Sequence, residues 1–145
     1  KMLVYLSAFL LPRGQTLLDK ARSDSQAKVL SNLVFARDQK SATVRTDAIE
    51  DVFYADCSAT DIALARTLLM PQALAPFATP VQTSFDRWGS VPRAYIECTE
   101  DHAISFATQQ SMHAHLPCSR VITMSTSHSS FLSAPEALVD HLLSL

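Results

Sequence analysis

The run from Arg120 to Leu145, RVITMSTSHSSFLSAPEALVDHLLSL, decides how the chain is read. Arg120 to Met124 is β-branched and apolar, which suits a strand buried on both faces, and the Ser/Thr-rich segment Ser125 to Ser130 breaks it. His128 sits in that break. Ser133-Ala134-Pro135-Glu136 predicts a helix start: the serine caps, the proline fits the first turn, and the glutamate three residues on completes a capping box. Leu138, Leu142 and Leu145, with Val139 and Leu143 beside them, then form one apolar stripe. A strand, loop and helix in this order build a parallel α/β sheet, in which ligands gather outside the carboxyl ends of the strands. His128 is thus placed for chemistry, although this run taken alone fits a solvated loop histidine better.

The segment before it repeats the unit. Arg93 to Cys98 resumes strand-like patterning after Gly89 and Pro92, a loop with Asp101 follows, and a helix of about 105 to 115 leads to the strand at 120. If the two strands are parallel neighbours about 4.8 Å apart, their end loops lie side by side and Asp101 reaches His128. An Asp beside a His fixes the imidazole tautomer and stabilises the imidazolium, as a nucleophilic hydrolase requires of its acid and base. Glu97 and Glu100 are the rival acids, but Glu97 falls inside the strand. His113 and His115 form an H-x-H pair without a third ligand nearby, so a solvated helix face is expected and no metal. His102 reads as a loop residue, and Trp88 and Phe85 read as packing.

Composition sets the outer limits. The 145 residues are 48% hydrophobic and carry 12 basic and 14 acidic side chains, for a net charge of −2. That suits one domain and gives no electrostatic footprint for nucleic acid or an anionic membrane. Apolar runs such as Leu3 to Leu11 are about half the length of a membrane span. Cys57, Cys98 and Cys118 are far apart and odd in number, so reduced thiols and a cytoplasmic location are expected. No signal peptide is expected ahead of the first strand. Only two glycines occur, Gly14 and Gly89. A phosphate loop, a dinucleotide fingerprint and a G-x-S-x-G nucleophile elbow all need closely spaced glycines, so each is excluded and no cofactor is expected.

Taken in order, Met2 to Leu6 reads as a buried strand, and Pro12 and Gly14 mark the turn after it. A short helix and a loop follow from Thr16. Leu33 to Ala36 and Ala42 to Val44 flank a polar loop as a hairpin, and two short helices come next, the second capped by Ser58 or Thr60. Pro71, Pro76 and Pro80 make the following stretch an ordered linker. Residues 1–14 and 86–145 are therefore expected to form the α/β core, with residues 15–85 inserted as a lid. The chain opens mid-architecture, which predicts that an upstream part exists elsewhere.

At this point the chain resembles the small α/β-hydrolase esterases, a family that includes plant methylesterases, hydroxynitrile lyases and bacterial relatives. The resemblance is carried by Leu3-Val4-Tyr5-Leu6-Ser7-Ala8-Phe9, Val52-Phe53-Tyr54-Ala55-Asp56-Cys57, Tyr95 to Asp101, Ser127-His128 and Phe131 to Leu138. It implies the C-terminal part of an α/β-hydrolase fold, with Asp101 as triad acid, His128 as general base and Phe9 lining the substrate pocket under the lid. Glu100 stands one residue short of the family's acid. The implied activity is serine-dependent hydrolysis of small carboxylic esters, with a hydroxynitrile lyase or a non-catalytic binding protein on the same scaffold as alternatives. The family order is Ser, Asp, His, and no elbow serine is present, so the resemblance implies that the upstream half of the fold, or another chain, supplies the nucleophile and that this chain alone is inactive. Roughly the first hundred residues of the family fold are then missing. Pro12 falls one place later than in the family. In the lyases a lysine follows the base histidine, where this chain has Ser129. Self-association into a homo-oligomer stays open.

Overall fold

The computed structural model describes residues 1–145. Strand β1 (Leu3–Leu6) leads to helix α1 (Leu17–Ser23), a 3-10 turn at Leu30–Asn32, and strands β2 (Leu33–Phe35) and β3 (Ser41–Val44). Helices α2 (Ile49–Phe53) and α3 (Ala59–Leu68), strand β4 (Gln72–Ala73), helix α4 (Ala75–Ala78) and a π-helical turn at Phe85–Gly89 complete the excursion. The chain then runs through β5 (Arg93–Cys98), α5 (Phe106–His115), β6 (Arg120–Met124), α6 (Ser130–Ser133) and α7 (Pro135–Leu143).

Two sheets result. In the first the order is β1-β5-β6, all parallel, with Leu6 opposite Ile96 and Cys98 opposite Met124. In the second, β2, β3 and β4 run antiparallel, Phe35 facing Ala42 and Ser41 facing Ala73. The central strand β5 is the most deeply buried element, Ala94 through Cys98 all lying inside. Its alternation assigns the two layers: Tyr95 packs with Leu10, Leu11, Ile104 and the α5 residue Met112, while Ile96 packs with Met124 and the α7 residue Leu138. Successive strand residues point to opposite faces, so α5 and α7 cover opposite sides of the sheet. A third cluster, Ala48, Val52 and Ala103, seats α2 on the loop that follows β5.

Several expectations are corrected. Within these residues β1 and β6 border the sheet, and Leu3, Val4 and Val121 are exposed, so neither the buried strand expected at Met2 to Leu6 nor the burial on both faces expected of Arg120 to Met124 is found. Ser133 does not cap α7. Its amide already donates to the Ser129 carbonyl within the turn of α6, so it lacks the extended backbone of a cap, and Ala134 takes the position with Pro135 behind it. Of the expected stripe only Leu138 is buried; Val139, Leu142 and Leu143 face outward. The proline-rich stretch is more regular than a linker. Pro71 precedes β4 and Pro76 sits in the first turn of α4, two places where a missing N–H is harmless. Ser58 caps α3 through the Asp61 amide, as its position predicts. No helix is long and apolar enough to cross a membrane.

Candidate active site

Asp101 and His128 meet because their loops are stitched together. The Thr99 amide donates to the Met124 carbonyl and the Glu100 amide to the Thr126 carbonyl, which extends the β5–β6 ladder beyond the strands. The Asp101 side chain is fully buried. Its Oδ1 accepts the amides of Ala103 at 2.7 Å and Ile104 at 2.9 Å, the local turn that Asp favours. Its Oδ2 accepts Gln109 Nε2 at 3.1 Å and lies 2.9 Å from His128 Nδ1. Every neighbour is a donor, so the carboxylate serves purely as an acceptor.

That arrangement sets the histidine tautomer. With Nδ1 donating to Asp101, Nε2 carries the lone pair, and no protein group hydrogen-bonds it. The side chain is one-quarter exposed. Phe53 packs on it with ring centres 5.6 Å apart. The backbone is held as well, since Ser7 Oγ donates to the His128 carbonyl at 3.0 Å. Ser7 is buried at the end of β1 with φ of 37°, a left-handed conformation that costs a non-glycine residue about 1–2 kcal/mol. Its amide continues the ladder to the Ile96 carbonyl, and the twist then turns the hydroxyl toward the histidine loop. On the other side the Asp56 carboxylate accepts both the amide and the hydroxyl of Ser127.

The remaining candidates fall elsewhere. Glu97 points away from His128 and accepts from His113 Nε2 at 2.8 Å and Thr123 Oγ1 at 2.7 Å. This corrects the expectation of a solvated His113, whose ring packs against Tyr95 beneath α5 because the buried Glu97 carboxylate requires donors. His115 is exposed, and no three His, Cys, Asp or Glu residues are grouped as metal ligands. Glu100 is exposed. His102 is a tether: its Nδ1 lies 2.9 Å from the Asp51 carbonyl, and its own carbonyl accepts the Lys28 amide. Trp88 packs as expected, donating Nε1 to the Tyr5 hydroxyl under the Arg93 guanidinium, whereas Phe85 is 88% exposed. Phe9 lines an apolar cavity of about 190 Å³ with Tyr5, Leu11, Pro76, Val81 and Trp88, and neither Asp101 nor His128 is among the lining residues.

Gln109, Ser7 and Asp56 were not singled out as site residues by sequence reasoning. Gln109 is wholly buried on α5. Besides holding Asp101 it accepts the Cys98 amide at 3.0 Å and donates to the Ile104 carbonyl at 2.8 Å. A polar residue on the core face of a helix was the signal available. Charge follows the same geometry. Partial burial pushes the Asp56 carboxyl up, but the hydrogen bonds from Ser127 outweigh it and hold the group below the usual aspartate value. Asp24, buried and bonded to the Ser105 amide at 2.9 Å, is lowered in the same balance. Burial raises the Cys98 thiol, and Cys57 is pushed up to about 11 by burial and by Asp56 and Asp61. The three thiols are free, but only Cys98 is a core residue; Cys57 and Cys118 are half-buried.

A three-stranded parallel sheet with helices on both faces, and an Asp–His pair at its strand ends, is the α/β-hydrolase arrangement, and the chain has the fold of the C-terminal part of an α/β-hydrolase. In sequence the chain is similar to methylesterases and related esterases. Methylesterase 2 of Arabidopsis thaliana is 35% identical over 103 residues, 69% of this chain and 39% of that protein. A pyrethroid hydrolase of Sphingobium wenxiniae is 30% identical over 97 residues, 66% of this chain and 34% of the hydrolase. The crystal structure of polyneuridine aldehyde esterase superposes with a TM-score of 0.84 at 25% identity, covering 97% of this chain and 60% of the esterase. No family model matches. The chain spans between 22% and 40% of the length of the curated relatives it matches.

Proposed function

We propose that the chain forms the acid- and base-bearing part of a serine ester hydrolase acting on small carboxylic esters. The observation that carries this is the 2.9 Å contact between His128 Nδ1 and the buried Asp101 carboxylate, with Nε2 left without a protein hydrogen-bond partner. Asp101 is the triad acid in this assignment and His128 the general base. Nε2 takes the proton of an attacking serine hydroxyl, and the resulting imidazolium is stabilised by the carboxylate behind it. The same nitrogen returns that proton to the departing alcohol, then draws a proton from water to release the acyl group. Residues 15–85 act as the lid, and Phe9 belongs to the wall of the apolar pocket rather than to the reacting centre.

No glycine-flanked elbow serine occurs among the 145 residues. We therefore assign the nucleophile to a segment outside them, either upstream in the same protein or on another chain. The 145 residues alone then turn over no ester, and joining the segment that carries the elbow restores turnover. The test combines an aryl-ester assay with labelling by a serine-directed fluorophosphonate. Neither turnover nor label is expected with the 145-residue chain, and both with the joined protein. Aryl-ester turnover by the short chain, abolished by changing one of its own serines, would overturn the assignment.

A further inference from the structure

We infer that Asp56 is a positioning residue for His128, through which the inserted segment sets the orientation of the imidazole; this deepens the assignment of His128 as base and rests on it. The turn between α2 and α3 carries Asp56 to the histidine loop, where one carboxylate oxygen accepts the Ser127 amide at 2.9 Å and the other the Ser127 hydroxyl. Ser127 is 2% exposed, and it is the residue immediately before His128. A two-point contact on a neighbouring residue fixes both its backbone and its side chain, so the direction in which the chain enters His128 is determined.

The grip extends to the ring and to the acid. Phe53, three residues before Asp56, packs on the imidazole, and Asp51 in the same helix holds His102, the residue next to Asp101. Lys28 bridges to the Asp51 carboxylate at 2.8 Å. A single short stretch, residues 51–56, thus contacts both partners' loops. Movement of the inserted segment changes the approach of Nδ1 to Asp101 without any change in the parallel sheet. Asn at position 56 preserves the geometry, since its carbonyl accepts the Ser127 amide and its amide donates to the Ser127 hydroxyl. Ala preserves neither bond.

The experiment uses the 145-residue chain labelled with ¹⁵N and reads the exchange with water of the ring Nδ1 proton of His128, which requires no ester turnover and so stands or falls separately from the esterase assignment. With Asp56→Ala, exchange at His128 is expected to quicken about tenfold or more, as the loss of a charge-assisted contact implies, while the His113 proton shared with Glu97 is unaffected. Asp56→Asn is expected to restore the wild-type rate. Ser127→Ala, which keeps the amide bond and removes the hydroxyl, gives an intermediate rate and serves as the deciding variant if Asp56→Ala does not fold. Wild-type exchange at His128 in a folded Asp56→Ala protein, or in Ser127→Ala when the former is unfolded, would overturn the inference. So would equal acceleration at His113.

Discussion

Gln109 and Asp101 are joined inside the core, the Gln109 amide donating to Asp101 Oδ2 at 3.1 Å while its carbonyl takes the Cys98 amide at 3.0 Å. One α5 side chain therefore ties the end of the central strand to the carboxylate that orients His128. Gln109→Leu keeps the volume but leaves the Cys98 amide, the Ile104 carbonyl and one Asp101 contact without a partner. Such a change destabilises by about 2–4 kcal/mol, because buried polar groups lose their partners with no water to replace them. Urea denaturation measures it, and a loss under about 0.5 kcal/mol would show that Gln109 is packing material only.

Ser7 offers a sharper contrast between strain and contact. Ser7→Ala removes the bond to the His128 carbonyl and keeps the left-handed backbone, which predicts a loss of about 1 kcal/mol. Ser7→Gly removes the same bond but relieves the strained φ, so its stability stays within about 0.5 kcal/mol of wild type. Comparing the two denaturation midpoints checks this. Glycine less stable than alanine would refute it.

Acid pH is expected to release Asp24. Its folded value lies below the ordinary one, because the bonds from Ser105 outweigh burial. A depressed carboxylate contributes stability that is fully present above the unfolded value near 3.8 and is lost as pH falls through the folded value. Asp24→Asn should therefore flatten the fall of unfolding free energy below about pH 4 and leave its slope between pH 6 and 8 unchanged. Denaturation curves across that range decide it. An unchanged acid slope would contradict the Asp24–Ser105 assignment.

What was legible in the sequence was the local part of the structure. The strand at 93–98, the helix after it, the strand at 120–124 and the hairpin around residues 36–41 each rest on periodicity and turn residues within a short window, and all four form. Asp101 and His128 are brought together because the parallel register follows from two repeated units. Burial was harder to read. An apolar strand looks alike at a sheet edge and at its centre, as β1 and β6 demonstrate, and a serine before a proline looks like a cap until Ser133 is seen closing the preceding turn. The contacts of Gln109, Asp56 and His113 span 8, 71 and 16 residues; the first and last depend on which face of α5 meets the sheet, and that of Asp56 on where the turn between α2 and α3 docks.

Ser129 bears on the choice between ester hydrolysis and cyanohydrin cleavage. It is 2% exposed and neutral; of the lid cations Lys40 and Arg66, Arg66 is paired with Glu50 at 3.2 Å. The side chain after His128 thus offers a departing cyanide no positive charge, and a unit charge at about 4 Å contributes several kcal/mol in a protein-like medium before desolvation. The joined protein should cleave aryl esters and release little cyanide from mandelonitrile. Cyanide release that outpaces ester turnover would reverse this assignment.

The central claim, that His128 and Asp101 form the catalytic acid–base pair, is tested most directly by kcat/KM for an aryl ester in the joined protein carrying single substitutions. His128→Ala should lower it by about 10³-fold or more and Asp101→Asn by about 10⁴-fold, the latter by presenting the wrong tautomer, while the folded His113→Gln protein keeps its rate within about threefold. If His128→Ala retains wild-type turnover, or His113→Gln loses as much as His128→Ala does, the assignment of the pair is wrong.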